Sequence, residues 1–219
     1  MSNAPLLFVH VPKTAGTSFI TAMENYFGPG SLEYDYGANS PKTSPLVQGY
    51  AYRQPNLGAL HQSVLQGSTK AFCGHFPVEK YVQEFGPQNT MVFLREPIQR
   101  LVSEFLHSTR QHGYKKDFSD YYRDEYYINR QSNFAGGIPI EDFGFVGITE
   151  HYLDSIALAN LHFDLDLQVL QVGMHRPKVD SHYSLSSEVT QEIRTLHAKD
   201  FCLYEAGLEI FRARLKSIK

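Results

Sequence analysis

Leu6-Leu7-Phe8-Val9-His10-Val11-Pro12-Lys13-Thr14-Ala15-Gly16-Thr17-Ser18 is the stretch that decides how the rest of the chain is read. Leu6 to Val9 form an apolar run that Val11 resumes after His10, the pattern of a short buried strand. Pro12 lacks a backbone donor and ends the strand. Small and hydroxyl residues follow, and then Phe19, Ile20, Met23 and Phe27 recur at helical spacing. A strand, a tight turn and a helix start together form an anion site, because free N–H groups and the positive end of the helix dipole converge there. Lys13 adds a full charge and Thr14, Thr17 and Ser18 add hydroxyl donors, with Ala15 and Gly16 completing the turn. The nucleotide-triphosphate loop places Gly-Lys-Ser/Thr after its first glycine and sets the hydroxyl on magnesium. Here the lysine precedes the glycine, so the loop is expected to hold a phosphate-like group without a divalent ion.

The next two strand ends carry chemistry as well. Lys70 to Cys73 reads as a strand running into Gly74-His75, and Thr90 to Arg95 as another, followed by Glu96-Pro97 and a helical face of Ile98, Leu101, Val102, Phe105 and Leu106. Carboxyl ends of strands are where an open α/β sheet places its active groups. His75 suits a general base near neutral pH, and Arg95 can grip a phosphate with two parallel bonds. Arg100 is expected to face solvent or a phosphate oxygen.

These elements resemble the sulfotransferases that use 3′-phosphoadenylyl sulfate. His-Val-Pro-Lys-Thr-Ala-Gly-Thr-Ser resembles their 5′-phosphosulfate loop, most nearly in the carbohydrate branch that includes heparan sulfate 2-O-sulfotransferase. Leu-Arg-Glu-Pro-x-x-Arg-Leu-x-Ser, from Leu94 to Ser103, is similar to their 3′-phosphate element, which assigns Arg95 and Ser103 to that phosphate. The Gly-His after the second strand matches the branch's catalytic base, so the resemblance makes His75 the base. The branch carries a second histidine where this chain has Cys73. Asn129 to Gly137 resembles a segment lying near the nucleotide, which implicates Arg130 and Gln131. Arg176 and Lys178 fall in a basic loop that relatives place over the 3′-phosphate or adenine. Phe145-Val146-Gly147-Ile148-Thr149-Glu150 and Asp200 to Glu205 also match family wording. The implied reaction moves a sulfuryl group to an acceptor hydroxyl, of a sugar or another small alcohol, and leaves adenosine 3′,5′-bisphosphate. Lys13 would assist His75 in catalysis.

Composition sets the bounds. The chain has 219 residues, 42% of them hydrophobic, and a net charge of −3. That suits one domain over residues 1–219 and gives no general attraction to nucleic acid or anionic membranes. Cys73 and Cys202 provide neither a disulfide framework nor zinc spacing, and the ten histidines form no ligand pattern, so no metal is expected. No apolar run spans a bilayer and no leader is visible, so a cytoplasmic protein is expected, unless the chain is the excised catalytic part of a luminal enzyme. Oligomeric state leaves no mark.

The expected fold is α/β: a three-layer, P-loop-like domain with a mainly parallel sheet of about five strands and helices on both faces. Residues 28–56, rich in Gly, Pro, Ser, Asn and Tyr, read as a long connection that could serve as an acceptor-side flap. A helix is expected over 57–65. The tyrosine-dense stretch 114–127 suits either a half-buried helix or an acceptor cleft. Phe143 to Ile148 is expected as the fourth strand, with Thr149 capping the helix after it, and Leu167 to Val172 as the fifth. Closing helices should start at Ser186 or Ser187. Two other functions fit parts of the sequence: a P-loop small-molecule kinase, and a module that binds a phosphorylated nucleotide or sulfated sugar without catalysis.

Overall fold

Among the described residues five strands pair side by side, and every pairing is parallel. The computed structural model describes residues 5–170 and 183–218. Its strands are β1 (Leu6–Val9), β2 (Leu32–Asp35), β3 (Ala71–Gly74), β4 (Thr90–Leu94) and β5 (Phe145–Ile148), side by side in the order β2-β3-β1-β4-β5. The helices are α1 (Gly16–Phe27), α2 (Pro45–Val47), α3 (Leu57–Gln66), α4 (Val82–Phe85), α5 (Pro97–His112), α6 (Phe118–Arg123), α7 (Arg130–Ala135), α8 (Tyr152–Phe163), α9 (Ser187–Leu196) and α10 (Ala198–Ser217).

Side chains alternate across the strands and so sort the helices into two outer layers. Phe8 and Phe93 point to one face, where they meet Phe19 of α1 at ring distances of 4.8 and 4.9 Å, and Phe93 also meets Tyr152 of α8 at 5.8 Å. Phe72 points to the other face, against Tyr81 at 4.6 Å and Phe85 of α4 at 5.3 Å. Leu94 and Val146 on that same face receive α10 at Gly207, where an added Cβ would come within 2.7 Å of Leu94. The outcome is the expected three-layer α/β fold with a wholly parallel sheet.

The direction in which the crossovers progress across the sheet reverses between β1 and β4. The crossover after β1 runs toward β2 at one edge, and the one after β4 runs toward β5 at the other. Ligands of open α/β sheets bind in the crevice outside the strand ends at such a switch point. The loop after β1 carries Lys13, and β4 is followed directly by Arg95.

Four sequence expectations need correction. The segment 28–56 is not a bare connection: it contains β2, α2 and a π-helical turn at Gln48–Arg53. The fifth strand is therefore β2, while residues 167–170 form no strand; the rest of that expectation, 171–172, lies outside the described residues. Thr149 does not cap α8. Its hydroxyl donates to the Leu94 carbonyl at 3.0 Å, and a short 3-10 turn separates it from the helix. Arg100 does not face solvent. It is completely buried and pairs with Glu104 one turn later at 2.6 Å. By contrast α3 spans the expected residues, and Ser186 accepts a cap bond from the Val189 N–H.

β2 lies at the sheet margin, where unpaired backbone groups would otherwise face out. The following segment folds back over it: the Tyr34 N–H donates to Ser44 Oγ, the Ser44 N–H to the Tyr34 carbonyl, and the Tyr36 N–H to Thr43 Oγ1.

Candidate active site

The turn after β1 is set by backbone conformations that only the fold imposes. Lys13 and Ala15 both sit in the left-handed region, at φ of 70° and 68°, which side-chain-bearing residues adopt rarely and at a cost. Thr14 is buried and its hydroxyl donates to the Val11 carbonyl at 2.8 Å, which closes the turn from inside. Ala15 stands at the cap of α1 and offers no side-chain acceptor, and the first turn holds no acid. The first-turn N–H groups at Gly16 and Thr17 are therefore left for a ligand. Gly16 is required by contact, since a Cβ there would lie 2.1 Å from the His10 ring.

Positive charge gathers at this turn. Among the described residues no carboxylate forms an ion pair with Lys13. Partial burial lowers the Lys13 pKa, and the nearby charges of Arg95 and Arg110 lower it further. His107 is lowered too, by burial and then by Lys13. His107 and Arg110 lie on α5 four and seven residues beyond Ser103, and residues at that spacing share a helix face. Ser103, half-buried, thus lies on the face that turns toward Lys13. Neither His107 nor Arg110 was singled out from sequence; their spacing from Ser103 was the available signal.

Arg95 ties the end of β4 to the turn after β1. Its Nη1 donates to the Lys13 carbonyl at 3.1 Å, and its Nε lies 3.9 Å from Glu150. Gln131 does not present its amide to the cleft. It is fully buried and clamps the Arg95 backbone: the Arg95 N–H donates to Oε1 and Nε2 donates to the Arg95 carbonyl, both at 2.9 Å. Arg130 stacks over Tyr126 and Phe134, at 4.2 and 5.1 Å, and approaches Glu104 at 3.9 Å. Arg176 and Lys178 lie outside the described residues.

His75 stands at the end of β3, held from both sides. Its N–H donates to the Asp35 carbonyl of β2 at 2.9 Å, and Nδ1 lies 2.6 Å from the His10 carbonyl beyond β1. A carbonyl only accepts, so Nδ1 carries the hydrogen and Nε2 keeps its lone pair. Gly74 permits this approach, because a Cβ there would fall 1.9 Å from the Asp35 carbonyl. Withdrawal from water lowers the His75 pKa, and the charges of Arg130 and Lys42 lower it further against the opposing bond to His10. His75 as a whole still exposes part of its surface to solvent. His10 packs against its ring at 4.4 Å, is buried, and is held neutral by that burial and by His75 itself. Cys73 lies buried and inert, its thiol pKa well raised by desolvation.

Around His75 lie Tyr36, whose ring stands across it at 4.9 Å and 83°, and Phe134 at 6.2 Å. Lys42 rests 5.8 Å from the Tyr36 ring. Tyr36 follows Asp35, a buried carboxylate that accepts from Lys80 at 2.6 Å, Tyr52 at 2.6 Å, Tyr81 at 2.7 Å and the Gly37 N–H at 2.9 Å. Burial alone would raise the Asp35 pKa, but these donors hold it below the usual value. Among the described residues no group of His, Cys, Asp and Glu side chains is arranged to hold a metal, and no helix is long and apolar enough to cross a membrane.

A profile described as "Sulfotransferase family" matches residues 2–134. Among solved structures, a sulfotransferase from Alicyclobacillus acidocaldarius superposes with a TM-score of 0.53 at 12% identity, over 92% of this chain and 94% of the other. No match was found among curated proteins.

Proposed function

The chain belongs to the sulfotransferase family, and from that premise we propose that it transfers the sulfuryl group of 3′-phosphoadenylyl sulfate to an acceptor hydroxyl, with His75 as general base. The observation that carries this reading is a cationic turn at the end of β1, where Lys13 lies near Arg95 and Arg110 and forms no ion pair among the described residues, next to the neighbouring strand β3 whose end holds His75 by Nδ1 and leaves Nε2 unprotonated. The donor set fits a nucleotide with phosphates at both ends of its ribose: Lys13 and the N–H groups of Thr14 to Ser18 at the 5′ side, Arg95 and Ser103 at the 3′ side. Arg130, Arg176 and Lys178 are assigned to its rim, and Gln131 to its support.

When bound, the nucleotide supplies the sulfuryl group. His75 accepts the hydroxyl proton at Nε2 while the acceptor oxygen bonds to sulfur and the sulfur–oxygen bond to the 5′-phosphate breaks. Lys13 and the turn amides stabilise the charge left on that phosphate, ready-oriented and partly shielded from water. Tyr36, Phe134 and Lys42 form the acceptor side, which suits a sugar or another small alcohol as in the carbohydrate branch. The chain is proposed to act as a single cytoplasmic domain.

Thermal shift tests this at matched concentrations of adenosine 3′,5′-bisphosphate, AMP and magnesium-ATP. A ligand that binds only the folded state adds about 2.7 kcal/mol at a hundredfold excess over its Kd. The largest rise is expected with the bisphosphate. A rise with magnesium-ATP and none with the bisphosphate would overturn the reading in favour of a kinase.

A further inference from the structure

We propose that Gln131, held in place by Asp200, is a positioning residue for both phosphate elements at once: it fixes Arg95, and Arg95 fixes the turn at Lys13. The proposal rests on the reading of Lys13 and Arg95 as phosphate-binding residues. It assigns a role to α7 and α10, which lie beyond the residues matched by the family profile or only at its end.

Each link is a hydrogen bond between buried or half-buried groups. Asp200, at the start of α10, is 1% exposed. It accepts from the Gln131 N–H at 3.1 Å through one carboxylate oxygen and from the Ser132 N–H at 2.8 Å through the other. Asn129 adds a second tie, accepting from the N–H groups of Lys199 at 3.1 Å and Asp200 at 3.3 Å. A carboxylate from one helix thus caps the first turn of another, short helix that has no side-chain cap of its own. That fixes where the Gln131 side chain begins. Its amide then closes a two-bond ring with the Arg95 backbone. An amide bonded on both its oxygen and its nitrogen defines position and orientation together, and the surrounding burial leaves it no water to exchange with.

The last link explains why a glutamine is needed. The Arg95 guanidinium donates to the carbonyl of Lys13, a residue whose left-handed backbone costs free energy unless its surroundings enforce it. If the Arg95 backbone drifts, that bond lengthens and the turn is free to relax out of the conformation that aims its amides into the crevice. The two phosphate elements are therefore not independent grips. They form one assembly with a common support outside both.

Two variants test this, Gln131→Leu and Gln131→Glu; the second keeps the acceptor for the Arg95 N–H and loses the donor. Isothermal titration with adenosine 3′,5′-bisphosphate, 3′-AMP and 5′-AMP is combined with hydrogen–deuterium exchange of the unliganded protein. Gln131→Leu should weaken all three nucleotides by about tenfold, the worth of two neutral hydrogen bonds less their exchange with water. Exchange over residues 13–19 should quicken while that over Ala71–His75 stays unchanged, a pattern general loss of stability would not give. Gln131→Glu should move the same readouts in the same direction, and it decides the question alone if Gln131→Leu does not fold. Unchanged exchange over residues 13–19 in a folded variant overturns the proposal, as does weakening confined to the two ligands with a 3′-phosphate. Failure of the unsubstituted protein to bind any of the three would instead remove the nucleotide reading, while the exchange data still judge the relay.

Discussion

Lys13 and Lys80 each follow a central strand of the same sheet, yet the fold treats them in opposite ways. Lys80 sits on the Asp35 carboxylate at 2.6 Å, donates to the Tyr52 hydroxyl at 2.7 Å and lies over the Tyr52 and Tyr81 rings. Lys13 lies among Arg95 and Arg110, whose lowering of its pKa outweighs the opposing charge of Glu104, and has no paired carboxylate among the described residues. A charge whose partners are all supplied by the chain stabilises the structure. A charge left among like charges adds repulsion to the empty fold, and only an anion from outside relieves it. The contrast extends to whole regions: the β1–β4 side of the crevice is under-satisfied and strained, whereas the β2–β3 side is closed by a complete hydrogen-bond network around Asp35.

The contrast can be broken most decisively at the boundary between the two regions. His75→Ala should lower kcat by about 10²–10⁴, the range for a positioned general base, with bisphosphate affinity unchanged by titration. A normal rate would remove His75 as the base. Lys80→Met should cost stability without touching the nucleotide. Removing one partner of a buried pair costs about 3–5 kcal/mol, and the low end is expected because Tyr52, Tyr81 and Gly37 still donate to Asp35. Chemical denaturation reads the loss, and a shifted bisphosphate Kd would refute the division of labour. Lys13→Met should do the reverse. It should weaken the bisphosphate by roughly tenfold to a hundredfold, as for a bond to a charged group. The empty protein should be as stable as before or more so, because the Lys13 charge is disfavoured by the fold.

The smallest effect concerns pH. His75 and His10 have folded-state pKa values below the ordinary 6.5. The unfolded chain therefore binds more protons in this range, and stability should be intact above pH 6.5 and decline as pH falls below it. The acid limb of kcat/KM should likewise lie below 6.5, because His75 must be neutral to accept a proton. A limb above 6.5 would contradict the electrostatics of the site.

Much of this was legible in the sequence where one residue type does one thing. The apolar run before Pro12, the Gly74-His75 pair after a strand and the Leu94-Arg95-Glu96-Pro97 junction carry strong local signals, and the parallel sheet follows from them. β2 was missed because Leu32-Glu33-Tyr34-Asp35 lies among glycines, prolines and tyrosines and shows no apolar run; a margin strand needs only one well-covered side. Residues 167–170 have the apolar character of a strand but pair with none: Asn160 of α8 takes both backbone groups of Leu167, accepting from its N–H at 2.9 Å and donating to its carbonyl at 3.0 Å. Arg100 reads from its motif position as facing solvent or a phosphate oxygen; burial excludes solvent, and Glu104 four residues on has the spacing of an ion pair on a helix. The left-handed residues of the turn were beyond reach, because Lys13 and Ala15 adopt them against their own preference. So was the role of Gln131, which depends on a helix nearly seventy residues away in the chain.

The fold-back of Thr43 and Ser44 over β2 has a practical consequence for anyone who exchanges acceptor-side segments between relatives. The segment that carries Lys42 to the Tyr36 ring also occupies, through Ser44 and Thr43, the outward backbone groups of Tyr34 and Tyr36. A graft that replaces the segment without a hydroxyl at each position would leave a bare strand margin, and bare margins recruit other chains. Loss of solubility in such a chimera would then reflect an unguarded sheet rather than a misfolded catalytic centre.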